Sequence, residues 1–223
     1  MKSKIFTELC DSINNYNNIQ NYSEKEGAQM LQMITKCMFS FLKEIVKFGK
    51  YKDSFIYLYT LGPCIETIAK SNKTNTSYSF SYDLIRCEFF FYSDIHNGSN
   101  LRYIEESFLL DFFRVMNTYK IRYTQTQFCS EAEKNHPDLY RNKKGNLLPL
   151  MRNYYVETVY QDNNDSYYKA DLSLGMFEVV WCLNQSVDEI FAEACLTMKW
   201  LYKFNYNLWK IENIKSKKLI NNT

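Results

Sequence analysis

The sequence has 223 residues, of which 46% are hydrophobic and 17% aromatic, and its formal net charge is +2. Intrinsically disordered chains have few aromatic residues and a high net charge, so this composition predicts a folded, soluble globular protein. The charge-free stretch from Ser54 to Ile65, which no other stretch in the chain exceeds in length, contains Gly62-Pro63 and is shorter than the about 20 apolar residues of a bilayer-spanning helix. We therefore expect no membrane-spanning segment.

The N-terminus and the cysteines indicate a cytoplasmic location. Glu8 and Asp11 follow Lys2 and Lys4 before any apolar run of signal-peptide length. The seven cysteines are scattered and odd in number, which predicts mostly buried thiols in a reducing compartment. Lysine and asparagine far outnumber arginine and alanine, which indicates a gene from an AT-rich genome.

The first third of the chain reads as helical. Residues 3–19 could form a short helix. A stronger signal is the S-x-x-E capping box that begins at Ser23, since apolar residues recur behind it at intervals of three and four and predict a helix over 24–48. A second helix is predicted from Asp53 towards Lys70, bent or interrupted at Gly62-Pro63.

The period then changes to two. Serine and aspartate alternate with aromatic residues over 77–83, which predicts a half-buried strand. The phase slips by one residue at Asp83, which predicts a bulge or tight bend before a further apolar alternation over 85–91. Another helix is expected after residues 96–100.

The rear of the chain is predicted to be mixed. Strand-like runs lie at 120–128, 153–161, 166–173 and 176–183, and a second S-x-x-E signal at Ser186 starts a helix that extends beyond Lys210. The predicted fold class is α+β, with a helical N-terminal part packed with an antiparallel sheet and a long C-terminal helix. We expect one domain over 1–223, helix-rich in 1–72 and mixed in 73–223.

Catalytic signatures are missing from the sequence. His96 and His136 are the two histidines, and no zinc, P-loop, dinucleotide or nucleophile-elbow motif is present. Glu157, Asp171 and Glu178 could approach one another on the rear strands, but exposed strand carboxylates are the simpler interpretation. We therefore expect no catalytic residues, no metal and no cofactor, and an enzyme with an unfamiliar site is the third hypothesis for function.

Charge is segregated along the chain although the total is small. The net charge is +5 over 114–152, −7 over 153–198 and +5 over 199–223. Local fields of this kind can steer a charged partner.

The basic segments could bind RNA or single-stranded DNA, because cations contact phosphates and neighbouring tyrosines can stack on unpaired bases. A further set of lysines, Lys36, Lys43, Lys47 and Lys50, lies on one flank of the 24–48 helix, where a solvated face is the simpler interpretation. The predicted nucleic-acid-binding residues are Arg122, Arg141, Lys143, Lys144, Arg152, Lys215, Lys217 and Lys218.

The acidic segment favours a protein partner instead. Asp162, Asp165, Tyr167 and Tyr168 surround a predicted hairpin, and tyrosine is enriched at interface hot spots. The leading hypothesis is a non-catalytic interaction protein, such as an inhibitor, immunity or accessory factor of a phage or mobile element, that acts on a nucleic-acid-handling protein. The alternative is the RNA- or single-stranded-DNA-binding protein described above.

Overall fold

The structure, a computed structural model, describes residues 7–9, 11–14, 24–61, 64–124, 150–151, 154, 174–182 and 185–220. Residues 7–9 and 11–14 are helical. The further elements, in chain order, are helix α1 (Glu24–Gly49), strands β1 (Phe55–Leu61), β2 (Cys64–Ser71), β3 (Ser77–Asp83) and β4 (Glu88–Asp94), a 3-10 helix (Gly98–Tyr103), helix α2 (Glu106–Thr118), strands β5 (Arg122–Thr124) and β6 (Met176–Cys182), and helix α3 (Val187–Ile220).

The strands form one six-stranded antiparallel sheet in the order β1-β2-β3-β4-β6-β5. The register pairs Phe55 with Ser71 between β1 and β2, and Cys64 with Asp83 between β2 and β3. An N-terminal helix, this sheet and a long C-terminal helix confirm the predicted α+β class.

Several elements begin and end close to their predicted positions. The helix predicted over 24–48 is α1, which begins directly after Ser23. The second S-x-x-E signal also marks a helix start, since Ile190 donates its N–H to the Ser186 carbonyl in the first turn of α3. Strands β3 and β6 match the positions predicted at 77–83 and 176–183. The prediction that β3 is half-buried is wrong, because Ser79 and Ser81 are buried as well as the aromatic residues between them. The strand predicted over 166–173 lies outside the described residues. So does the strand predicted over 153–161 except for Tyr154, which is helical and contradicts that prediction.

The helix predicted from Asp53 to Lys70 is wrong. Strands β1 and β2 occupy this segment, separated at Gly62-Pro63. Five of the seven residues of Phe55–Leu61 are aromatic or β-branched, and such residues favour strands. In β2 every second side chain is buried, which is the period of a strand. Since apolar residues occupy nearly every position of 55–61, periodicity alone did not separate helix from strand.

The chain divides into two compact units, of which the first comprises Met1–Lys73, Ser77–Tyr92 and Val180–Lys199. Its core is aromatic. The Phe41 ring lies 4.8 Å from Phe80 and 5.6 Å from Phe191, and Phe80 stacks on Phe89 at 5.4 Å. The apolar stripe of α1 is buried from Ile34 to Ile45, and Phe48 at its end is exposed.

The second unit comprises Thr74–Thr76, Ser93–Val179 and Trp200–Thr223. Phe112 of α2 is fully buried and stacks on Phe204 of α3, with 4.6 Å between ring centroids. Phe177 of β6 packs edge-on against both rings, at 5.2 Å and 5.4 Å. That the whole chain forms one domain stays a prediction.

A tight turn at residues 84–87 joins β3 to β4 and confirms the bend predicted near Asp83. The Asp83 carboxylate accepts N–H bonds from Ile85 (2.8 Å) and Arg86 (2.9 Å). Cys87 closes the turn with φ 56° and donates its N–H to the Asp83 carbonyl. The N–H bond from Arg86, with further help from Ile85 and from the Arg86 charge, lowers the pKa of Asp83.

Asp83→Ala should reduce the free energy of unfolding by about 1 kcal/mol at pH 7, as the loss of a comparable side-chain cap does. Because the folded-state pKa of Asp83 is lowered, its ionised carboxylate stabilises the fold above the unfolded pKa of about 4. This contribution is lost as pH falls through the folded-state pKa. Urea denaturation at pH 7 and pH 3 should show the difference from wild type shrinking at pH 3. An equal difference at both pH values would contradict the role given to the ionised carboxylate.

Candidate protein-interaction surface

Strand β1 forms one edge of the sheet and carries no charge. It lies at the end of the strand order, and its sequence Phe-Ile-Tyr-Leu-Tyr-Thr-Leu contains no proline. Among the residues that the structure describes, no strand pairs with its outer side. Proteins usually protect such edges with lysine, proline, bulges or short strands, because an open edge is a template for another strand. β1 has none of these protections in its seven residues.

Hydrogen bonding shows which backbone groups of β1 face outward. Asn72 donates its N–H to the Ser54 carbonyl at 3.0 Å, and these residues lie directly opposite each other when the β1–β2 register is extended by one. In an antiparallel pair every second residue bonds to its neighbour strand, so the even-numbered residues of β1 bond to β2. The N–H and C=O groups of Tyr57, Tyr59 and Leu61 therefore point towards the outer edge.

The side chains of β1 are exposed on both faces. The exposed fractions are 51% for Ile56, 49% for Leu58, 59% for Tyr59 and 52% for Leu61. We call these four side chains, with the outward backbone of β1, the edge surface. Contiguous exposed apolar groups mark interaction sites more often than single ones do.

Two sets of contacts hold β1 in place. On the helix side, Tyr57 packs against Phe39 of α1, with ring centroids 5.7 Å apart. On the other side, Thr60 donates its hydroxyl to Glu66 of β2 at 3.1 Å, and Glu66 also accepts the hydroxyl of Tyr92. Burial, followed by the Glu66 carboxylate, raises the pKa of Tyr92, and burial raises the pKa of Tyr57. Both phenols thus stay protonated at neutral pH, and Tyr92 remains a donor to Glu66.

A groove of about 510 Å³ lies between α1 and β1. We call it the α1–β1 groove. Six of its lining residues share one face of α1, at intervals of three and four, and two belong to the edge surface. They are Gln32, Thr35, Lys36, Phe39, Ser40 and Lys43 from the helix, and Tyr59 and Leu61 from the strand.

A second groove, of about 490 Å³, lies in the other compact unit between α2 and α3. Lys203 and Lys210 line it together with Glu105 and Asp111. Since both signs of charge are present in equal number, the lining does not select the charge of a ligand. The α1–β1 groove contrasts with it, because two lysines and no acidic residue line that groove.

The predicted nucleic-acid-binding residues fall into two groups. Arg141, Lys143, Lys144, Arg152 and the side chain of Lys218 lie outside the described residues. Of the others, Arg122 lies directly opposite Glu178 in the β5–β6 ladder, where opposite charges attract.

The predicted nucleic-acid-binding lysines of the basic tail, Lys215, Lys217 and Lys218, do not form one uniform surface. Lys215 contacts the side-chain oxygen of the buried Asn100, and its ammonium lies 4.1 Å from the centre of the Tyr103 ring. Lys217, two residues further along α3, is exposed. Nucleic-acid binding by the full predicted set stays a prediction.

The other predicted site residues add little to the described surface. The predicted partner-binding residues Asp162, Asp165, Tyr167 and Tyr168 lie outside the described residues. Within the described ranges, no three His, Cys, Asp or Glu side chains are grouped so as to hold a metal ion.

The cysteines differ from one another in exposure. The prediction of mostly buried thiols is wrong for the described cysteines: Cys195 is buried, but Cys37, Cys64 and Cys87 are half-buried and Cys182 is exposed, although its neighbours in sequence are apolar. Burial, followed by the charges of Asp83 and Glu66, raises the pKa of the Cys64 thiol. Such a thiol is protonated at neutral pH and is a poor nucleophile.

Sequence reasoning missed the edge surface, although a signal for it was present. The charge-free stretch from Ser54 to Ile65 contains all of β1. None of the described helices has the length and apolar character to cross a membrane.

Comparisons with protein families, with curated proteins and with solved structures found no match for this chain.

Proposed function

We propose that this chain is a non-catalytic interaction protein that binds a partner protein by strand addition at β1. The observation that carries the proposal is an uncharged edge strand with outward backbone groups and four exposed apolar side chains. In strand addition, backbone hydrogen bonds supply affinity and pockets for alternate side chains supply specificity. The edge surface offers the first and the α1–β1 groove offers the second.

The biological role follows from the sequence-based hypothesis. Inhibitors, immunity proteins and accessory factors act by occupying a surface of another protein, and the absence of catalytic motifs in the sequence agrees with that role. A nucleic-acid-handling protein, with an extended segment that reaches β1, is the partner we propose. The acidic residues at 162 and 165 would add electrostatic attraction for a basic partner.

The test compares a proline and an alanine substitution at Tyr59 in the edge strand. Peptides of nine residues are first selected from a random displayed library on the immobilised full-length protein, and their affinities are measured by fluorescence anisotropy. Tyr59→Pro and Tyr59→Ala both remove the tyrosine ring, but only proline also removes the outward N–H. Because that N–H does not bond to β2, proline at this edge position leaves the β1–β2 ladder intact.

We expect Tyr59→Pro to bind the selected peptides at least about tenfold more weakly than Tyr59→Ala, since a blocked edge loses a backbone hydrogen bond and its neighbouring contacts. Circular dichroism and thermal unfolding establish that both variants are folded. Equal affinities of the two variants, or a library that yields no binding peptide, would contradict strand addition. If light scattering instead shows that the chain forms a dimer, and Tyr59→Pro abolishes that dimer, the strand that pairs with β1 comes from a second copy of the chain.

A further inference from the structure

An added strand would place side chains in the α1–β1 groove. Tyr59 and Leu61 line that groove and also carry outward backbone groups. In an antiparallel pair, residues directly opposite each other have their side chains on the same face. The partner residue opposite Tyr59 would therefore point into the groove. This step rests on the proposed function.

The groove is lined by two cationic hydrogen-bond donors and by no anionic acceptor. The hydroxyls of Thr35 and Ser40 donate to the carbonyls of Leu31 (2.7 Å) and Lys36 (3.0 Å) within α1. The donors that remain on the helix wall are the ammonium groups of Lys36 and Lys43 and the amide of Gln32. No carboxylate lines the groove to neutralise them.

The two lysines are placed to share one anion. They are seven residues apart on α1, which separates their backbones by about 10 Å along the helix axis, and both side chains line the groove. The Lys43 ammonium lies 4.6 Å from the centre of the Phe39 ring and 5.4 Å from that of Tyr57. These aromatic contacts fix the position of the charge and exclude part of the water around it.

We propose that the α1–β1 groove receives an acidic side chain of the added strand, bound between Lys36 and Lys43. The recognised segment is thus an extended stretch with an aspartate or glutamate opposite Tyr59 and apolar residues that face the edge surface. Charge-assisted hydrogen bonds to a carboxylate in a groove with aromatic walls are stronger than those between neutral groups.

The peptides selected on the full-length protein test this proposal. Each acidic residue of an enriched peptide is replaced in turn by its amide, and affinities are measured for wild type and for the Lys43→Met variant. Methionine keeps an unbranched apolar chain, one atom shorter than that of lysine, beside the Phe39 and Tyr57 rings and removes the charge. Lys47→Met is the matched control, because Lys47 is 79% exposed on α1 and does not line the groove.

We expect one acid-to-amide replacement to weaken binding to wild type by about fivefold, in the range of a partly exposed ion pair. The same replacement in the peptide should change its affinity for the Lys43→Met variant little, because the lysine that pairs with the acid is missing there. The four affinities form a double-mutant cycle, which isolates the interaction between the two groups. Lys47→Met should behave as wild type does.

The two proposals fail in different ways. Peptides that lose affinity in Tyr59→Pro but show no acidic preference, or lose equal affinity in Lys43→Met and Lys47→Met, would overturn the acidic-strand inference and leave strand addition standing. Peptides that bind Tyr59→Pro and Tyr59→Ala equally would overturn strand addition itself. Rising salt should weaken the acidic peptide more than its amide form.

Discussion

Phe112→Ala should lower the free energy of unfolding by about 3–5 kcal/mol, the largest effect that we expect from a single substitution. Phe112 is fully buried, and its ring contacts those of Phe204 and Phe177 at 4.6 Å and 5.2 Å. Removing the ring loses its burial and opens a cavity between aromatic neighbours that cannot collapse fully. Urea denaturation followed by near-ultraviolet circular dichroism measures the change, since the signal comes from the packed aromatic rings.

Two further variants keep this prediction testable if Phe112→Ala does not fold, because native domains are stable by only about 5–15 kcal/mol. Phe112→Leu keeps most of the volume and should cost about 1–1.5 kcal/mol. Leu110→Ala removes an apolar side chain from the same helix at a site that is 58% exposed, and it should change stability by about 0.5 kcal/mol or less. A cost at position 110 as large as that at position 112 would contradict the placement of the core.

The sequence predicted those elements whose pattern is regular. In α1 the apolar residues keep helical spacing over the whole length, and its start follows a capping box at Ser23. In β3 the serines alternate with aromatic residues, so the period of two is visible. The segment 55–61 lacks any such contrast, because almost all of its residues are apolar or aromatic, and its assignment to a helix failed for that reason.

The candidate site was less accessible to sequence reasoning than the fold was. A charge-free stretch can lie in the centre of a sheet or at its edge, and only the strand order places β1 at the edge. Lys36 and Lys43 were recognised as one flank of a helix, but the strand that forms the opposite wall of their groove had been predicted as a helix. Non-local pairing therefore decides what these lysines face.

The basic tail shows the same limitation at shorter range. Lys215 and Lys217 are close in sequence, but residues two positions apart on a helix are separated by about 200° around its axis. Lys215 accordingly turns towards Asn100 and Tyr103, whereas Lys217 is exposed. A count of net charge per segment treats the two lysines alike, whereas the geometry of the helix places them on different sides of α3.

Asn100→Leu should lower the free energy of unfolding by about 2–4 kcal/mol. The substitution removes a buried side chain that hydrogen-bonds to three groups (here called the Asn100 hub) and leaves those three groups in place. The Asn100 side chain is fully buried. Its amide donates to Glu212 at 2.7 Å and to the Leu208 carbonyl at 3.3 Å, and its oxygen accepts a bond from Lys215. Leucine has the same number of side-chain heavy atoms and the same branching, is somewhat bulkier and cannot bond to any of these groups, so the expected loss comes from unsatisfied polar atoms rather than from a cavity. Urea denaturation at neutral pH measures it.

The two tail lysines provide the matched comparison for this hub. Lys215→Gln should cost about 1–2 kcal/mol, since a charged partner of a buried amide is lost, whereas Lys217→Gln should leave stability within about 0.5 kcal/mol of wild type. Equal effects of the two substitutions on stability would contradict the structural role of Lys215 at Asn100 and would indicate that both lysines belong to one solvated surface. With the expected difference, Lys215 is a structural residue, and of the three lysines predicted to bind nucleic acid in the tail only Lys217 and Lys218 would remain for that role.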